Sequence, residues 1–220
     1  MSPAPPTHNP SGSGRLLHLS HVTFALVTCH LSLSTCFKFL HLLSMKFLKT
    51  DELNRPTKSE YADIVKIPVV VVLDNVRSAL NVGSVFRTSD SFMISKIILC
   101  GITAKPPEKE ILKTALGATE SVVWEYHDTT SNALLKLKEE GHLLFAIEQS
   151  DNSIPLNEFQ VQSNAKYVLI FGNEVKGVDK TLIPLLDGAI EIPQSGIKHS
   201  LNVSVCAGVV LWHFYEKLKL

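Results

Sequence analysis

The sequence predicts an α/β protein with a mostly parallel β-sheet. Three observations carry this prediction. Short, continuous apolar runs rich in β-branched residues recur along the chain, Pro68–Leu73 being the clearest, and such runs suit strands buried on both faces. Segments with helical spacing separate the runs. Strand and helix then alternate from residue 68 to the C terminus, the pattern of parallel strands joined by crossover helices.

Taken in order, residues 1–44 form a disordered or dispensable extension. They contain no Asp or Glu, only Arg15 and Lys38 as basic residues, and five of the nine histidines. The first 14 residues are rich in Pro, Ser and Gly, a composition that resists burial. Residues 16–37 carry no Lys, Arg, Asp or Glu, enough length for a membrane span, yet three His and six Ser/Thr interrupt them, so no membrane partner is expected. Organellar targeting by this Ser-rich, acid-poor segment stays open, as does a start at Met45. Cys29, His30, Cys36 and His41 have a spacing that fits no common zinc pattern. Residues 45–67 read as an irregular, charged lead-in.

The domain proper spans 68–220. Strand 68–73 is followed by a helix over 78–93, strand 96–100, a short helix over 108–116, strand 122–126, a helix over 131–140 stopped by Gly141, and strand 143–147. Strand 166–171, a short helix over 180–186, strand 188–192 and a closing helix over 201–218 complete the series. Ser200 reads as the N-cap of that last helix.

Formal charge is zero, 21 basic against 21 acidic residues, so any nucleic-acid surface must be a local patch. No G-x-G-x-x-G follows the first strand and no P-loop string occurs, which argues against NAD or ATP as the ligand. The four cysteines are scattered without a C-x-x-C pair, as expected of reduced thiols in a cytoplasmic protein.

Three segments concentrate chemistry at strand ends. In Asn75–Arg87, Asn81 and Gly83 fall near the carboxyl end of the first strand, where ligands gather in open α/β sheets. Arg87 lies six residues beyond Asn81, a rise of roughly 9 Å; a capping Asn and a solvated helix Arg would give the same pattern. In Leu169–Gly177 a buried strand runs into a turn with Gly172, Glu174 and Gly177, and a plain surface acid is an equal reading of Glu174. In Ile192–Val205 a polar loop leads into the closing helix. Capping by Ser200 leaves Asn202, a poor helix former, unexplained. Lys198 and His199 bring positive charge beside a helix N terminus, a setting for an anion.

Together these strings resemble the signature of the SpoU/TrmH RNA 2′-O-ribose methyltransferases of the SPOUT superfamily. The matching residues are Asn81-x-Gly-x-x-x-Arg87, Phe171-Gly-x-Glu174-x-x-Gly177 and Ile192-Pro-x-x-Gly196-x-x-x-Ser200-Leu-Asn202-Val-Ser204, in family order. The resemblance implies a sheet whose C-terminal stretch is threaded into a deep trefoil knot, a topology otherwise nearly absent from proteins. It implies S-adenosylmethionine as cofactor, held by Glu148, Phe171, Gly172, Gly177, Ile192, Gly196, Ser200 and Leu201. It implies a homodimer, no metal, and tRNA or rRNA as substrate. Catalytic duties would fall to Asn81, Arg87, Glu174, Ser200 and Asn202, with Glu174 pairing with Arg87, and Arg87 working near the cofactor of the other subunit. Arg77, Arg87, Lys113 and Lys198 are candidate RNA contacts. The closing helix would line the dimer interface through its apolar excess. Gln194 departs from the methionine frequent in the third motif, and residues 1–67 are too short for the separate RNA-binding domain of many relatives. A non-catalytic RNA-binding member of the same fold is the alternative, and the intact polar residues of all three motifs speak against it.

An arginine is an awkward general base. Its guanidinium stays protonated far above neutral pH, and losing that proton at neutrality costs roughly 7 kcal/mol. A fixed cation that holds phosphate and stabilises the developing alkoxide is the better role for Arg87.

Overall fold

The computed structural model describes residues 46–49, 52–198 and 200–220. What the sequence predicts for residues 1–44, including extension, span, targeting and the Cys29/His30/Cys36/His41 cluster, lies outside the described residues, as does His199. The chain divides into two compact units, residues 1–55 and 56–220. In the first, Lys46 Nζ pairs with Glu52 at 2.6 Å. No helix among the described residues is long and apolar enough to cross a membrane.

The second unit opens with α1 (Lys58–Asp63), where the sequence reading has only an irregular lead-in. Its signal is a capping box: Thr57 accepts from the Glu60 amide and Glu60 reaches back to the Thr57 amide, closing two orphan donors. α1 buries none of its residues, so no apolar stripe marks it.

Then follow β1 (Ile67–Asp74), α2 (Ala79–Ser91), β2 (Ile94–Cys100), α3 (Lys109–Ala115), β3 (Trp124–His127), α4 (Thr130–Glu139), β4 (His142–Ile147), β5 (Ile154–Pro155), β6 (Lys166–Phe171), a 3-10 helix (Lys180–Leu185), β7 (Gly188–Glu191) and α5 (Val203–Lys219). The two-residue β5 is too short to register as a run. Residues 180–185 tighten to 3-10 geometry, with Pro184 inside the segment.

The seven strands form one sheet in the order β3-β2-β1-β6-β4-β7-β5, and every pairing is parallel. Side chains alternate between two cores, as the strand period requires. Val69, Val71 and Leu73 pack with Phe86 of α2 and with Ala207, Val210, Leu211 and Phe214 of α5. Val70 and Val72 pack with Ala133, Leu134 and Leu137 of α4. Full burial of each large apolar side chain contributes about 1.5–3 kcal/mol. Gly83 is buried in this packing rather than placed at the ligand end: a Cβ there would lie 2.3 Å from the Ile111 carbonyl oxygen and 2.2 Å from Thr114 Oγ1, so its absence lets α2 and α3 touch.

The sheet order positions the functional end. Strands β2 and β3 lie to one side of β1, and β4 to β7 to the other. The reversal falls beside β1, where ligands collect in open α/β sheets. Because β1, β6, β4 and β7 are neighbours and parallel, the loops after them stand side by side.

Candidate active site

Those loops enclose a cavity of about 400 Å³, lined by residues following β4, β6 and β7 and by the start of α5. The volume is that of a small-molecule site. Phe171, Ile190, Ile192 and Leu201 supply apolar wall, while Gln149, Gln194, Ser200 and Asn202 supply polar groups. Three carboxylates line it, Glu148, Glu174 and Glu191, and among the described residues no Lys, Arg or His does. Such a wall favours a ligand with positive charge and disfavours an anionic one.

The 172–178 loop is held by close backbone approach. It closes on itself through Asn173 N–H to the Gly177 carbonyl at 3.0 Å and Gly177 N–H to the Asn173 carbonyl at 2.9 Å. A Cβ on Gly172 would lie 2.2 Å from the backbone of Gly177 and Val178, so only glycine fits. Asn173 adds an Asx-type turn, its Oδ1 accepting from the amides of Val175 and Lys176 at 3.0 and 3.1 Å, and its Nδ2 donates to the Asn75 carbonyl at 2.7 Å. Glu148 ties the loop to β4: its carboxylate accepts from the Gln149 amide at 3.1 Å and the Val178 amide at 3.3 Å.

Glu174 does not pair with Arg87. Its carboxylate accepts from the Arg77 amide at 2.8 Å, the Ser78 amide at 3.0 Å and Asn81 Nδ2 at 3.1 Å. It therefore satisfies donors at the start of α2, where unpaired amides and the helix dipole attract an anion. Burial pushes its pKa up, but the hydrogen bonds from Arg77, from its own amide, from Ser78 and from Asn81 outweigh that and hold it below the ordinary carboxylate value. Asn202 Nδ2 donates to Asn81 Oδ1 at 3.2 Å, so Glu174, Asn81 and Asn202 form one network linking all three motifs.

Asn202, not Ser200, caps α5, its Oδ1 accepting from the Ser204 amide at 2.9 Å and the Ser204 hydroxyl at 2.6 Å. Capping thus explains a residue that looked out of place in a helix. Ser200 lines the cavity instead.

Of the residues the sequence nominates for the cofactor, Glu148, Phe171, Gly172, Gly177, Ile192, Ser200 and Leu201 line the cavity. Gly196 does not; with Lys198 it borders a separate groove on the 194–201 loop. Arg77 lines a second cavity, and Lys113 sits in the last turn of α3. Arg87 is exposed on α2, outside the cavity, and enters no ion pair among the described residues. Six residues along a helix turn it well past the face that carries Asn81 to the network. Residues missed from sequence include Gln149 just after β4, Glu191 at the end of β7, Asn173, whose Asx turn is readable in Gly-Asn-Glu, and Cys206, which lines the cavity from α5. Burial, with the nearby Glu148 carboxylate adding to it, pushes the Cys206 thiol up to about 11.

Residues 68–212 match the sequence profile of the SpoU rRNA Methylase family. The chain belongs to that family. An uncharacterized tRNA/rRNA methyltransferase of Borreliella burgdorferi is 30% identical over 154 residues, covering 69% of this chain and 65% of the relative. The tRNA (guanosine(18)-2′-O)-methyltransferase of Thermus thermophilus is 31% identical over 144 residues, covering 66% of this chain and 72% of the relative. The crystal structure of an AdoMet-bound rRNA methyltransferase from Sinorhizobium meliloti superposes with a TM-score of 0.65 at 27% identity, over 72% of this chain and 60% of that one. The chain thus spans just under two thirds of the length of the Borreliella relative. The parallel sheet is the SpoU fold expected from the motifs.

Proposed function

We propose that this SpoU family protein is an S-adenosylmethionine-dependent methyltransferase that modifies a ribose 2′-hydroxyl in tRNA or rRNA, as a cytoplasmic homodimer with the knotted threading its motifs imply. The observation that carries the reading is the charge of the cavity: Glu148, Glu174 and Glu191 with no described cation. That wall fits a donor bearing a sulfonium and suits the anions NAD and ATP poorly. The Thermus relative, a tRNA (guanosine(18)-2′-O)-methyltransferase, and the AdoMet-bound rRNA methyltransferase from Sinorhizobium support the same reading.

When bound, S-adenosylmethionine supplies a methyl group activated by the positive charge on sulfur. The residues here have to align the acceptor and manage one proton, and alignment alone can contribute about 7–11 kcal/mol. Phe171, Ile192 and Leu201 exclude water from the donor. Ser200, Gln194 and Glu148 orient its polar edge. Asn81 and Asn202 hold the acceptor ribose, and Glu174 fixes both by anchoring the 172–178 loop to α2. With its carboxylate already accepting from the Arg77 and Ser78 amides and from Asn81 Nδ2, Glu174 acts as a positioning residue.

Among the described residues the cavity has no cation to hold the acceptor phosphate and steady the developing alkoxide. Arg87 of a second protomer fills that need in trans. The exposed apolar stripe of α5, with Val205, Val209 and Trp212 at 53%, 41% and 46% exposure, supplies the surface on which the two copies pack. Ala207, Val210, Leu211 and Phe214 are committed to the core and cannot serve there.

Calorimetric titration tests the donor. One S-adenosylmethionine per protomer is the expected result, with no heat from NAD or ATP; ATP binding in place of the donor would refute the reading. Mass spectrometry of RNA nucleosides from cells with and without the gene then identifies the lost 2′-O-methyl mark.

A further inference from the structure

The hairpin that walls the donor cavity also walls a second one. Asn173, Val175 and Gly177 border both. The second cavity measures about 770 Å³ and its charge is reversed: Arg77, Lys176 and Lys180 line it. None of the three enters an ion pair among the described residues.

Two acids also line this cavity; both accept local hydrogen bonds, and the three cations still outnumber them. Asp74 is buried and accepts from the Thr130 hydroxyl at 2.5 Å, the Asn75 amide nitrogen at 2.8 Å and the Asp179 backbone amide at 2.9 Å. Asp179 caps the 3-10 helix, accepting from the backbone and hydroxyl of Thr181 at 2.9 Å each. Two exposed apolar side chains, Ile102 and Val175, at 67% and 75% exposure, stand beside the cations.

A third depression is bounded by Arg77, Ser78, Asn81 and Glu174. It shares Glu174 with the donor cavity and Arg77 with the basic one. Moving along the wall, one meets an acidic pocket, an Asn81-bordered groove, and a basic cavity with apolar floor. A ribonucleotide chain has the matching order: a 2′-hydroxyl to be brought to the donor, then a phosphodiester, then a flat base.

Resting on the methyltransferase reading for the identity of the neighbouring site, we propose that this second cavity holds the phosphate and base of the nucleotide next to the methylated ribose. Arg77, Lys176 and Lys180 take the phosphate, and Ile102 with Val175 support the base. Lys176 and Lys180 are thereby RNA-positioning residues outside the three family motifs.

The test is fluorescence anisotropy with a 5′-fluorescein-labelled 15-nucleotide single-stranded RNA, without methyl donor, across a salt series. The Lys176→Ala/Lys180→Ala variant is compared with Lys136→Ala/Lys166→Ala, which removes equal charge from exposed positions outside the cavity. The expected result is at least tenfold weaker RNA binding for the first variant only. Its log–log salt slope should flatten by about 0.7, the value for one single-strand phosphate contact. S-adenosylmethionine affinity should stay within twofold of wild type. Equal losses in both variants, unchanged slope, or no RNA binding by the wild type would each overturn the proposal. Because the RNA measurement omits the donor, failure of donor binding registers separately, as failure of the methyltransferase reading alone.

Discussion

One hairpin, residues 173–177, separates two cavities of opposite character. On one side the wall is acidic and half apolar, and its geometry is fixed by close backbone contacts at Gly172 and by the Glu174–Asn81–Asn202 network. On the other, three basic side chains without ion-pair partners among the described residues surround acids that accept local hydrogen bonds. Under the proposed function, the difference teaches how a chain of zero net charge can serve a positively charged donor and a polyanionic substrate together. The charges are sorted over a few residues rather than over the molecule. It also exposes a gap: among the described residues the donor side has no cation of its own.

The sharpest way to break the donor side is Gly172→Ala. The added Cβ would meet backbone at 2.2 Å, which no side-chain rotation relieves. Donor affinity should fall beyond calorimetric detection, with a stability loss of about 1–3 kcal/mol. Unaltered affinity would mean the hairpin does not shape the pocket.

The next largest effect addresses the missing cation. Arg87→Lys keeps the charge but loses the planar donor fork, so turnover should drop about 10²–10³-fold while donor affinity is kept. A lysine enzyme with near wild-type turnover would remove Arg87 from the chemistry.

Glu174→Gln probes the anchor between the two cavities. Losing a carboxylate that accepts three hydrogen bonds from partly exposed groups should cost about 1–2 kcal/mol, lowering Tm by about 2–8 °C. The sign with pH is set by the depressed pKa of Glu174. Its contribution is fully present above the unfolded carboxylate value of about 4.3 and fades as pH falls through the lower folded value. The Tm gap between variant and wild type should therefore hold above about pH 5 and close in acid. A gap that widens in acid contradicts the network.

The smallest effect is chemical. With its thiol pushed up to about 11, Cys206 should react slowly with iodoacetamide at pH 7.5, faster as pH approaches 11, and more slowly when S-adenosylmethionine fills the cavity it lines. Rapid labelling at neutral pH would place it elsewhere.

Much of this architecture was legible in the sequence. The run Val69–Val72 announces a doubly buried strand because no polar position interrupts it, and the segments after β1, β6 and β7 carry the motif residues, those after β1 on α2 itself. What escaped has particular causes. α1 buries nothing, so only its capping box betrays it. Ser200 and Asn202 are both good caps, and a tertiary hydrogen bond from Asn202 to Asn81, 121 positions away, accompanies the choice of Asn202. The resemblance implied Glu174 with Arg87, yet backbone amides at residues 77 and 78 claimed the carboxylate, and amides carry no sequence signature. Gly83 looked like a ligand-loop glycine because its neighbour Asn81 is one of the site residues, whereas the helix that crowds it, α3, lies well downstream in the chain.

Subunit complementation tests most directly whether the donor side is completed from outside. Two tagged chains, one carrying Arg87→Ala and the other Asn202→Ala, are co-expressed, and the mixed species is isolated through both tags. Each variant alone should be nearly inactive in methyl transfer to RNA from cells lacking the gene. The mixed dimer should recover about half of wild-type activity, since one of its two sites has both native residues. No recovery in a purified, stable mixed dimer would contradict an arginine supplied in trans.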